Sequence, residues 1–229
     1  MNENIKVIAF DADDTLWVNE TYFREAENEF AKILSDYETE NKIHQELFKK
    51  EIDNLKIYGY GVKGFMLSMV ECALELSNHK ISQQKITQIL DIGKNMLEKP
   101  IELLDGVEEV LQQLHGNYKL IVATKGDLLD QERKLEKSGI LKYFHHTEVM
   151  SEKKKVDYQK LTKRLDINPS EFLMIGNSLK SDILPLIEIG ASAIHIPFHT
   201  TWAHEEVSEE QKSDIYKTVS KISDVLTFL

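Results

Sequence analysis

Val7-Ile8-Ala9-Phe10-Asp11-Ala12-Asp13-Asp14-Thr15-Leu16 runs from purely apolar residues straight into three carboxylates. An apolar run this short reads as a strand covered on both faces. The carboxyl end of such a strand is where open α/β sheets place their ligand sites. Asp11 and Asp13 can then divide the chemistry, one attacking and one moving protons. The competing reading is a turn, because Asp favours turns. The rest of the chain decides between the two.

Other short apolar runs also end in small or polar residues. Lys119–Ala123 runs into Thr124, Phe172–Ile175 into Gly176-Asn177, and Ser192–Ile196 into Pro197, with His146–Met150 as a weaker strand. Helical patterns lie between them. One opens at Asp105-Gly106-Val107-Glu108, read as a cap with an acid at the third helical position, a variant of the capping box, and stops near Gly116. Others cover about 157–165 and 181–189, the latter carrying Pro185. Strands alternating with helices imply a mostly parallel sheet. The first connection breaks this rhythm: it takes roughly 110 residues, where a βαβ unit needs about 30. Its apolar residues recur at helical spacing, as in Tyr22, Phe23, Ala26, Phe30, Ile33 and Leu34, or Ile86, Ile89, Leu90, Gly93 and Leu97. Residues 18–98 therefore read as an inserted helical domain, expected to sit over the carboxylates as a lid. Trp17, Val18 and Asn19 read as one hinge strand and Lys99-Pro100 as the return.

The 229 residues are 41% apolar, enough for a sizeable core. A net charge of −11 argues against nonspecific nucleic-acid or anionic-membrane binding, which needs a basic face. The single cysteine, Cys72, precludes an internal disulfide and lies in an apolar helical stretch, so a buried, inert thiol is expected. No secretory pattern opens the chain and no apolar run reaches membrane-spanning length, so a cytoplasmic location is expected.

Parallel strands would gather Asp11, Asp13, Thr124, Asn177 and Asp182 in one crevice, with the block Glu152-Lys153-Lys154-Lys155 nearby. Three carboxylates that close repel, each pair by about 4 kcal/mol at 4 Å and an effective dielectric near 20. A divalent cation removes that cost, and an all-oxygen site suits magnesium. Magnesium, a lysine and a hydroxyl would together neutralise a phosphoryl group under attack by a carboxylate.

The set Phe10-Asp11-x-Asp13-x-Thr15-Leu16, Thr124, a lysine within 153–155 and Gly176-Asn177-x(4)-Asp182 resembles the haloacid dehalogenase-like superfamily, in order and spacing over the whole core. Within it the chain is most similar to a bacterial branch of magnesium-dependent phosphatases, which shares a run like Ile196-Pro197-Phe198-His199-x-x-Trp202. The resemblance implies an α/β fold: a Rossmann-like parallel-sheet core, residues 1–17 and 99–229, with an α-helical cap domain, 18–98, inserted after the first motif. It implies Asp11 as nucleophile and metal ligand, and Asp13 as general acid/base with its carbonyl on the metal. Thr124 would hold the phosphoryl group, Lys153 would neutralise it ahead of Lys154, and Asp182 and Asn177 would complete the Mg2+ site. Asn177 stands where many members carry Asp, lowering the site charge by one. Asp14 stands where many carry Gly and reads as a turn residue; Thr15 reads as a brace for the loop. Asp13 favours phosphate esters, because the superfamily's dehalogenases typically carry a non-acidic residue there. The substrate expected is a small phosphorylated metabolite. The alternatives on the same residues are a phosphotransferase or mutase, and a non-catalytic phosphate-responsive binding protein.

Lys125 and Gly126, beside Thr124, and Tyr60 and Lys63, in the glycine-rich stretch Tyr58–Phe65, are candidate substrate contacts. The same stretch also reads as a plain interhelical turn. His195, His199, Trp202 and His204 fit no zinc spacing and read as a packed loop. The acidic stretch 205–210 reads as a solvated face, and 216–229 as a short strand and a terminal helix.

Overall fold

The computed structural model describes residues 4–207 and 215–229. It falls into two compact units: Met1–Glu20, Ile101–Lys125 and Gln131–Leu229 form one, and Thr21–Pro100 with Gly126–Asp130 the other.

The first unit is built on a six-stranded parallel sheet: β1 (Val7–Phe10), β2 (Lys119–Lys125), β3 (His146–Met150), β4 (Phe172–Gly176), β5 (Ser192–His195) and β6 (Lys217–Thr218). The spatial order is β3-β2-β1-β4-β5-β6, every neighbouring pair parallel. All four residues of β1 are buried, as a central strand covered on both faces requires. Its side chains alternate between two cores. Ile8 and Phe10 join Leu120 and Val122 of β2, together with Val107, Val110, Leu111 and the C-terminal Ile222 and Val225. Val7 and Ala9 join Tyr158, Leu161, Ile183 and Leu186 on the other face.

Helices flank the sheet: α5 (Val107–Leu114), α6 (Leu128–Lys137), α7 (Lys155–Arg164) and α8 (Leu184–Ile187). Helix α5 buries Val107, Val110, Leu111 and Leu114 on one face, as its spacing predicts. Its cap differs from the expectation. Gly106, at φ 83°, occupies the N-cap and no side chain caps the helix, because the left-handed backbone there suits glycine rather than Asp105. The helix expected over 181–189 is also revised. A widened π turn, Leu179–Ile183, comes first and only Leu184–Ile187 is α-helical, since Pro185 can donate no backbone hydrogen bond. The chain ends in a 3₁₀ helix, Ile222–Phe228, after the short β6.

The second unit carries α2 (Glu40–Tyr58), α3 (Val62–Leu76), α4 (Gln83–Glu98) and all but the first residue of α1 (Glu20–Leu34). Phe30, Leu34, Ile43, Leu47, Phe65, Met69, Cys72 and Ile89 form its core. Full burial of each large aliphatic or aromatic side chain stabilises by about 1.5–3 kcal/mol. Cys72 is a free, buried thiol pushed up to about 12 by burial. Gly59 and Gly61 hold φ 72° and 106° between α2 and α3, so this stretch is an interhelical turn whose backbone needs glycine. No helix among the described residues is long and apolar enough to cross a membrane.

Candidate active site

The strand order reverses at β1: β2 and β3 lie on one side of it, β4 to β6 on the other. Such a switch point opens a crevice at the carboxyl ends of the strands. Asp11 leaves β1 there, its backbone N–H bonded to the Ile175 carbonyl of β4 at 2.9 Å. Lys153 arrives from the loop after β3 and is 3% exposed. Its ammonium donates to Asp11 Oδ1 at 2.5 Å and to Asp182 Oδ1 at 2.7 Å. Lys154 and Lys155 instead pair at 3.7 Å with Glu152 and Glu188 on the surface. Asp182 comes from the π turn and packs on Gly176, where a Cβ would stand 2.4 Å from Asp182 Oδ2. Glycine at the end of β4 thus makes room for this carboxylate.

Asp13 turns to a different set of partners. Oδ1 accepts from Trp17 Nε1 at 2.7 Å and from Lys134 Nζ at 2.9 Å, and Oδ2 accepts from Gln131 Nε2 at 2.8 Å. Burial pushes the Asp13 carboxyl up, but the Lys134 charge and these hydrogen bonds outweigh it and hold it below its ordinary value. Gln131 Nε2 also lies 3.0 Å from Thr124 Oγ1, which ties the hydroxyl at the end of β2 to the same group. Sequence reasoning missed Trp17, Gln131 and Lys134 as partners of Asp13. The signal in the sequence was Gln131 and Lys134 at i, i+3 on the α6 face that also buries Leu135.

The charge balance expected from the sequence is therefore revised. Lysines, not an ion alone, answer the carboxylates: Lys134 faces Asp13, and Lys153 lies between Asp11 and Asp182. Asp11 and Asp182 still outnumber Lys153 by one charge. Burial, with the Asp182 charge, raises the Asp11 carboxyl against the pull of Lys153. No three His, Cys, Asp or Glu side chains among the described residues converge as a metal site, because Asp13 points to α6. The donor set that remains fits magnesium in kind: two carboxylates, the Asn177 amide oxygen and the Asp13 carbonyl, all hard oxygens. Asp11 Oδ2 and Asn177 Oδ1 both lie 3.3 Å from Thr15 Oγ1. That hydroxyl has one proton for two acceptors, so one of the two oxygens keeps a lone pair that a cation could take. Thr15 accordingly touches the site as well as bracing its loop. Asp14, at φ 61°, forms the turn and accepts from the backbone N–H groups of Asn19 and Glu20.

Lys125 is held by Glu205 at 2.6 Å and bonds Ser181 Oγ at 2.9 Å. Glu205 also accepts from Ser178 Oγ at 2.5 Å and Ser181 Oγ at 2.6 Å. The expected solvated face is thus wrong for Glu205, whose side chain is 12% exposed; the cationic and hydroxyl partners that draw it inward are distant in sequence. Residues 208–210 of that stretch lie outside the described residues. His195 Nε2 meets the Asn177 carbonyl at 3.0 Å, and the rings of Trp202 and His204 pack 4.9 Å apart. Tyr60, Lys63 and Gly126 belong to the second unit, where Lys63 pairs with Asp127 at 2.8 Å.

A family model described as haloacid dehalogenase-like hydrolase matches residues 5–190. A haloacid dehalogenase-like family hydrolase from Xanthomonas campestris is 41% identical over 87% of this chain and 84% of that one, with a TM-score of 0.82. A HAD hydrolase from Bacillus subtilis, bound to magnesium, is 17% identical over 99% of each chain, TM-score 0.65. A 2-haloacid dehalogenase from Pseudomonas syringae is 16% identical over 97% of each, TM-score 0.63. The last two are similar in fold. No curated protein matches the chain.

Proposed function

This chain belongs to the haloacid dehalogenase-like hydrolase family, and we propose that it is a magnesium-dependent phosphatase acting on a small phosphorylated metabolite. The observation that supports this most is the second carboxylate, Asp13, held by three donors beside Thr124. A halide leaves as a stable anion and needs no proton, whereas an alkoxide leaving from phosphorus does. An acid two residues after the nucleophile serves the phosphate ester.

Asp11 attacks phosphorus, forming an aspartyl-phosphate as the P–O bond to the leaving group breaks. Asp13, ionised at the outset, takes the proton of a singly protonated phosphate ester and passes it to the departing oxygen. It then takes a proton from the water that attacks the aspartyl-phosphate, releasing phosphate and restoring Asp11. Thr124 donates to a phosphoryl oxygen, and Lys153 offsets charge near Asp11. Asp11, Asp182, Asn177 and the Asp13 carbonyl would hold magnesium, which supplies further positive charge to the phosphoryl oxygens when bound.

Incubation with 4-nitrophenyl phosphate and Mg2+, in parallel with a 2-chloro acid, tests the reading. Phosphate release that EDTA abolishes is the expected result. Chloride release without phosphate release would overturn it, as would phosphoryl transfer to an added sugar in preference to water.

A further inference from the structure

Gln131 takes no part in the reaction steps themselves, yet its amide meets two of the groups that carry them. It is 3% exposed. Its Nε2 lies 2.8 Å from Asp13 Oδ2, 2.6 Å from the Lys125 carbonyl and 3.0 Å from Thr124 Oγ1. A carbonyl, and a carboxylate in its ionised form, only accept, so the NH2 end of the amide must face them. Its Oε1 is left buried with no hydrogen-bond partner among the described residues. The orientation is set by the demand for a donor, at the expense of the amide's own acceptor.

An ionised carboxylate offers about four lone-pair sites. On Asp13, Trp17 and Lys134 take two at Oδ1 and Gln131 takes one at Oδ2. One site on Oδ2 remains for the proton that moves. From this geometry we infer that Gln131 is a positioning residue: it directs the proton-bearing lone pair of Asp13 while aligning Thr124. The inference rests on the phosphatase reading.

The test is leaving-group dependence in Gln131→Met, which keeps the length and removes both donors, and Gln131→Glu, which keeps the shape. The probes are 4-nitrophenyl phosphate, whose phenolate leaves with little help, and phenyl phosphate, whose more basic phenolate needs a proton. A correctly placed general acid contributes about 10²–10⁴-fold. The expected result is a fall in kcat of about tenfold or more for phenyl phosphate and less than about threefold for 4-nitrophenyl phosphate, with KM nearly constant. Equal losses on both substrates, or no loss on either, in whichever variant shows a wild-type melting profile, would overturn the inference. Failure of both variants to fold would also overturn it, assigning Gln131 a structural role. A wild-type protein that releases no phosphate from either probe would instead overturn the phosphatase reading.

Discussion

Lys153 is the residue on which the buried charges of the site balance. Its side chain is 1% exposed and its ammonium touches two carboxylates, Asp11 and Asp182. Their charges hold the lysine above its ordinary value despite burial, so it stays charged. Removing one partner of a buried ionic set leaves uncompensated charge and costs about 3–5 kcal/mol. Lys153→Met is expected to lower stability in urea by about that much and to reduce kcat by on the order of 10²-fold or more. Wild-type stability together with wild-type activity would contradict this assignment. The sequence narrowed the lysine to a block of three, and the family resemblance put Lys153 ahead of Lys154. What excludes Lys154 and Lys155 is where their side chains go, to Glu152 and Glu188.

The short 3₁₀ element Ala203–Glu205 shows how an element far along the chain becomes part of the site's surroundings. Burial raises the Glu205 carboxyl, but Lys125 and the hydroxyls of Ser178 and Ser181 outweigh it and hold it at about 2, against an ordinary 4.5. A depressed carboxyl stabilises the fold above its unfolded value and loses that contribution as pH falls through the folded value. The difference corresponds to about 3 kcal/mol at neutral pH. Wild-type protein should therefore lose stability relative to Glu205→Gln between about pH 4.5 and 2, read from thermal midpoints across that range. Parallel pH curves would contradict the prediction. The sequence read this stretch as solvated because acidic runs usually are. Its hydroxyl and lysine partners lie 24 to 80 positions away, beyond any local pattern.

Taken whole, the chain has two apolar cores flanking the sheet in one unit and a third among the helices of the other. The alternation of apolar runs and helical spacing made the sheet and the helical insertion legible, because burial follows periodicity. A net charge of −11 opposes association with a polyanion. The protein is expected to show no retention on duplex DNA at about 0.15 M salt; salt-sensitive binding would contradict this.

The parallel α/β core and the helices were legible in the amino-acid sequence from local periodicity, and the order of Asp11, Asp13, Thr124 and Asp182 from their spacing along the chain after the apolar runs. The partners came from the folded chain alone: Lys153 for Asp11 and Asp182, Lys134 and Gln131 for Asp13, Glu205 for Lys125. Those pairings join side chains 29 to 142 positions apart. Hydrogen bonds and buried charges depend on distances of a few ångströms, which only the packed chain sets.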